Sequence, residues 1–137
     1  MSKQRSIPKI SVYMTTEPHT IGADQTMAHA HAVMREHRIR HLPVLSAQHL
    51  VGIVSVGDLH MVETLSEVDP TKVRVDEAMT QDVYTVSPDA PLDEVVHQMA
   101  MHKYGSAVII DNGHVVGVFT TVDACRAFAD MLHTHLT

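Results

Sequence analysis

Gly52-Ile53-Val54-Ser55-Val56-Gly57-Asp58-Leu59 and Gly117-Val118-Phe119-Thr120-Thr121-Val122-Asp123-Ala124 each place a hydroxyl three residues before a carboxylate, downstream of a glycine. Ser55 and Thr120 lie 65 positions apart, and so do Asp58 and Asp123. A strand that passes a glycine and runs straight into a helix offers backbone N–H groups and a hydroxyl at the helix's positive end, where phosphate is favoured. An ionised carboxylate one turn later only accepts hydrogen bonds, and its two oxygens can take a pair of sugar hydroxyls. The same residue types also suit plain helix capping, in which hydroxyl and carboxylate satisfy backbone N–H groups. The two roles can coexist.

The elements that must position these residues recur at the same spacing. Sliding the sequence by 65 brings Met14-Thr15 onto Met79-Thr80, Asp24 onto Asp89, Met34 onto Met99 and Val51-Gly52 onto Val116-Gly117 without a gap. An internal duplication of this length takes precedence over other readings. Each half reads as strand, helix, strand, strand, helix. In the second half Tyr84–Val86 is a short strand, and Leu92, Val95, Val96 and Met99 keep the i, i+3, i+4, i+7 spacing of an amphipathic helix. Pro91 suits a first turn, and Asp89 sits near that helix's positive end. Ala107–Ile110 and Val115–Phe119 are strands joined at Asp111-Asn112-Gly113, a strong hairpin signal. Asp123 to Leu132 closes the unit as a helix with Ala127, Phe128 and Met131 on its apolar side.

The first half repeats this more weakly, with a helix through Met27, Ala30 and Met34, a hairpin of Leu42–Leu45 with Leu50–Val54, and a helix from Asp58 to Leu65. Ser66–Arg74 reads as the link between halves. Each half is too small to bury much alone.

Composition narrows the function classes. The 137 residues are 45% hydrophobic and carry a net charge of −6, fitting one globular unit with a core. No apolar run approaches the roughly 18 residues of a membrane span. The N-terminal MSKQRSIPKISVY lacks the apolar core of a signal peptide, so a cytoplasmic protein is expected. No basic stripe points to nucleic acid. The single cysteine, Cys125, excludes an internal disulfide and reads as a small buried helix residue.

In this order and spacing, YMTTEPHTI with AMTQDVYTV, RHLPVL, and GIVSVGDL with GVFTTVDA resemble the cystathionine β-synthase (CBS) domain, as a tandem pair or Bateman module. The resemblance covers about residues 10–132. It implies an α+β (α/β-type) fold of two tandem βαββα repeats packed sheet to sheet with pseudo-twofold symmetry. The repeats would be residues 10–66 and 74–132 of one module spanning 1–137, with a linker at 67–73. It also implies a regulatory, non-catalytic module that binds AMP, ADP, ATP or S-adenosylmethionine in clefts between the repeats. No cofactor is required, and such modules commonly form homodimers. Nothing in the chain reads as an effector domain, so a separate partner protein is expected to read the signal, through a population shift between arrangements of the repeats.

Carried over position by position, Asp58 and Asp123 would accept the ribose hydroxyls, and Ser55 and Thr120 would donate to phosphate or sugar. Thr20 and Thr85 would line the cleft beside the base, with Ile21, Val86 and Pro43 as apolar walls. Arg40 and His41 match positions that reach ligand phosphates, whereas Gly105 and Ser106 stand there in the second repeat. The first site is therefore expected to prefer a phosphorylated ligand. The bland alternative leaves Arg38 and Arg40 as solvated charges. Met61, Leu65, Phe128 and Met131 suit either a self-association face or core packing.

Rival chemistry finds little support. Twelve histidines invite a metal reading, but His29 and His31 point to different helix faces, and no HExxH or paired cysteines occur. His31 reads as a tolerated or hydrogen-bonded helix histidine, and terminal His133 and His135 as frayed or adventitious ligands. No Walker loop or Rossmann glycine set is present, and Ser55 does not fit a nucleophile elbow. The remaining alternative is an interaction module with silent clefts.

Overall fold

From the first amphipathic helix onward, the chain builds the same four elements twice, each starting 65 residues after its counterpart. In chain order come α1 (Ile10–Tyr13), β1 (Thr15–Thr16), β2 (Ile21–Gly22), α2 (Met27–His37), β3 (His41–Ser46), β4 (His49–Ser55), α3 (Val56–Thr64) and α4 (Val75–Ala78). There follow β5 (Thr85–Val86), α5 (Leu92–His102), β6 (Ser106–Asp111), β7 (His114–Thr120) and α6 (Thr121–Leu136). This computed structural model describes residues 6–65 and 67–136. Residues 1–5, Ser66 of the expected link, Thr137 and the side chains of His135 and Leu136 lie outside what is described.

The chain packs as two units. One is Pro18–Val83, and the other joins the described residues through Glu17 to those from Tyr84 onward. The packing units are thus offset from the sequence repeats by a short opening segment.

In the Pro18–Val83 unit, α2 is capped by Thr26, whose side chain accepts the His29 N–H at 3.1 Å, and it ends where Arg38 turns left-handed. Met27, Ala30 and Met34 are its buried residues, on one face at helical spacing. They pack with Leu42, Val44 and Val54 of the sheet β2-β3-β4. In the other unit, α5 buries Leu92, Val95 and Met99 and ends at left-handed Lys103. Its sheet runs β1-β7-β6-β5 over a core of Ile10, Ile109 and Phe119. Burial of one such large apolar side chain is worth roughly 1.5–3 kcal/mol.

Three details of the expected helices change. Pro91 is the N-cap of α5 rather than part of its first turn. On α6 only Ala127 of the expected apolar trio is buried, while Phe128 is 64% and Met131 is 38% exposed. Cys125 is exposed as well. It stands two residues from buried Asp123, about 200° around the helix, and so on the outer face.

The opening segments take an edge role that local pattern did not reveal. Thr15 and Thr16 pair antiparallel with Val118 and Gly117 of β7. In the other unit Ile53 and Thr80 exchange backbone hydrogen bonds of 2.9 and 2.8 Å. Both contacts require glycine beneath a methionine. A Cβ on Gly117 would crowd Met14 and lie 3.1 Å from the Thr15 carbonyl; one on Gly52 would collide with Met79 and lie 2.9 Å from the Thr80 carbonyl.

Candidate functional site

Each hairpin delivers its hydroxyl to the first turn of the closing helix. His41 pairs with Ser55 across β3 and β4, and Ser106 with Thr120 across β6 and β7. The Arg40 carbonyl then accepts the Val56 N–H at 2.9 Å, as the Gly105 carbonyl accepts that of Thr121 at 3.2 Å. These bonds fix where each helix begins.

At that point each repeat forms a reciprocal box. Asp58 Oδ2 accepts the Ser55 N–H at 2.8 Å and the Ser55 hydroxyl at 3.1 Å, while Ser55 Oγ accepts the Asp58 N–H at 3.3 Å. Asp123 Oδ2 and Thr120 match this at 2.9, 3.2 and 3.3 Å. The capping role is therefore realised in both copies, and it occupies one oxygen of each carboxylate.

The second oxygens differ. Asp123 Oδ1 receives Arg126 Nη1 at 3.1 Å and the Thr15 hydroxyl at 3.4 Å, and the residue is only 5% exposed. For Asp58, half-buried, no partner of Oδ1 is found among the described residues. The Asp58 carboxylate can take a donor from outside without breaking an internal bond, and that of Asp123 cannot. Arg126 was within reach of sequence reasoning, since i+3 places it on the same helix face. Thr15 was not, because it is 108 residues away in the chain.

Beside the first box, His41 Nδ1 is buried with no hydrogen-bond partner among the described residues. Burial pushes this imidazole below its usual 6.5; the Asp58 charge opposes the shift and the Arg40 charge adds to it. Arg40 itself is exposed. Pro43 is buried within β3, and Ile21, opposite Val44, is 4% exposed and part of the core. Thr20 is exposed just before β2. With about 3.3 Å per strand residue, the Ile21 end lies roughly 10 Å along β3 from His41. In the other unit, exposed Thr85 and half-buried Val86 pair with Val108 and Ile109.

His31 sits 3.4 Å from Glu63, and His37 stacks on His19 with ring centroids 3.6 Å apart. Among the described residues no three His, Cys, Asp or Glu side chains converge as metal ligands, and no helix is long and apolar enough to cross a membrane.

Comparison with known proteins gives this geometry a context. The profile of the CBS domain matches residues 9–62 and 75–130. A Vibrio cholerae protein described as an acetoin utilization protein (AcuB) superposes with a TM-score of 0.84 at 31% identity, covering 94% of this chain and 96% of that one. The CBS domain pair of protein MJ0100, solved in complex with 5′-methylthioadenosine and S-adenosyl-L-methionine, superposes at 0.83 with 26% identity, covering 91% and 98%. By sequence, the chain is 28% identical over 120 residues to inosine-5′-monophosphate dehydrogenase of Korarchaeum cryptofilum. That match takes in 87% of this chain but spans 24% of the enzyme's length. The CBS domain-containing protein YhcV of Bacillus subtilis is 26% identical over 110 residues, or 80% of this chain and 78% of that one.

Proposed function

The chain belongs to the CBS domain family, and from that premise we propose that it is a sensory module binding an adenosine-type ligand where each hairpin meets its closing helix. The observation that carries this reading is the open second oxygen of Asp58, next to His41 and Arg40. A ribose can donate to that oxygen while the cap stays intact, and Arg40 can meet a phosphate in bidentate fashion. Complexes of MJ0100 with two adenosine compounds support the ligand class. AMP, ADP, ATP and S-adenosylmethionine all fall within it.

On this reading the Asp58 site is the stronger one, and the Asp123 site takes a ligand only by displacing Arg126 or Thr15. The protein performs no catalysis: ligand occupancy is converted into a signal read by a separate protein in the cytoplasm. Met61, Leu65, Phe128 and Met131 are exposed and support self-association into a homodimer. Titration calorimetry with the four compounds tests the reading. Saturable heat with at least one of them, abolished in Asp58→Ala, is expected. Silence with all four favours an interaction module whose clefts bind nothing.

A further inference from the structure

Three of the chain's six arginines, Arg35, Arg38 and Arg40, line one hollow of about 310 Å³ in the Pro18–Val83 unit. His31 and His60 complete its rim, and Met34, Ile39 and Leu59 lie beneath. None of the three guanidiniums has an ion-pair partner among the described residues, and no carboxylate lines the hollow. Glu63 lies 3.4 Å from His31. In a chain of net charge −6, such a concentration of unpaired cations calls for a cause.

The duplication supplies an internal control. In the second repeat the positions of Arg35, Arg40, His31 and His60 hold Ala100, Gly105, Val96 and Cys125, and only Lys103, opposite Arg38, keeps a charge. Both α2 and α5 nonetheless run 11 residues and end on a left-handed residue. Neither the helix nor its C-terminal cap therefore needs Arg35, Arg40, His31 or His60. Dipole compensation at the end of α2 accounts for one of the three guanidiniums at most, since α5 manages with His102 and Lys103.

We propose that this hollow, between the C-terminal end of α2 and the start of α3, is a phosphate-binding site distinct from the Ser55–Asp58 box. Guanidiniums present paired N–H donors that match phosphate oxygens, and imidazoles add further donors. The recognised group is the phosphate itself, whether free or carried as an ester. The site does not depend on adenosine binding and shares only Arg40 with the region assigned to it.

The test follows the imidazole Cε1–H resonances of the full chain by NMR at fixed pH. Sodium phosphate, glycerol 3-phosphate and sodium chloride are titrated at matched ionic strength. Saturable shifts of His31 and His60 with either phosphate compound, absent with chloride, are expected. A response to both probes identifies free phosphate as sufficient, and a response to the ester alone identifies an ester ligand. Arg35→Ala, which copies Ala100, and Arg38→Asn, which tolerates the left-handed backbone, should each weaken binding roughly tenfold or more at an unchanged melting temperature. Equal shifts with chloride, no saturation, or unaltered binding in both folded variants would overturn the proposal.

Discussion

Asp58 and Ser55 hold each other reciprocally, carboxylate on the Ser55 N–H at 2.8 Å and hydroxyl on the Asp58 N–H at 3.3 Å. Thr120 and Asp123 repeat the clamp, but there the carboxylate also carries Arg126 and Thr15. Asp58→Ala should therefore lose one cap and about 1 kcal/mol of stability. Asp123→Ala strands more polar groups in a buried place and should lose about 2–3 kcal/mol. Urea unfolding midpoints of the two variants check the order.

The two hairpins differ in turn chemistry at matching positions. Asn112 and Gly113 sit at φ 51° and 78°, whereas the first repeat puts Ala47 and Gln48 at 51° and 67°. A left-handed conformation costs a non-glycine residue roughly 1 kcal/mol or more. Replacing Ala47-Gln48 by Asn-Gly should raise stability by about 1 kcal/mol, visible as a higher melting temperature.

Gly52→Ala places a methyl against Met79 and the Thr80 carbonyl. About 1–3 kcal/mol of destabilisation is expected from the overpacking. Exchange of the Ile53 and Thr80 amide hydrogens should accelerate more than exchange in α2, because these two amides bond directly across the disturbed contact.

His41 gives stability a pH dependence of known sign. Burial lowers its folded pKa below 6.5, so the unfolded chain binds the proton more tightly. The contribution is complete above about pH 6.5 and is lost as pH falls through the lower folded value. His41→Leu should flatten the decline in urea midpoint between pH 7.5 and 5 relative to the wild type.

How much of this was legible follows from the range over which each signal acts. Asn112-Gly113 announced its hairpin because turn chemistry is local, and Leu92, Val95 and Met99 announced α5 because burial imposes a period. The four residues of α1 and of α4 are too few to show one. β1 has two residues, and its partners Val118 and Gly117 lie more than a hundred positions on, so only packing reveals it. The box at Ser55 and Asp58 was visible as a pair of residue types. That Asp123 is saturated and Asp58 is not depended on Thr15, which no local pattern could bring near.

A crystal soaked with a mixture of AMP, ATP and S-adenosylmethionine tests the central claim most directly. Ribose hydroxyls are expected about 3 Å from Asp58 Oδ1, with the Ser55 clamp intact and fuller occupancy than at Asp123. Well-diffracting soaked crystals with no adenosine compound at Asp58, or with fuller occupancy at Asp123 than at Asp58, would contradict it.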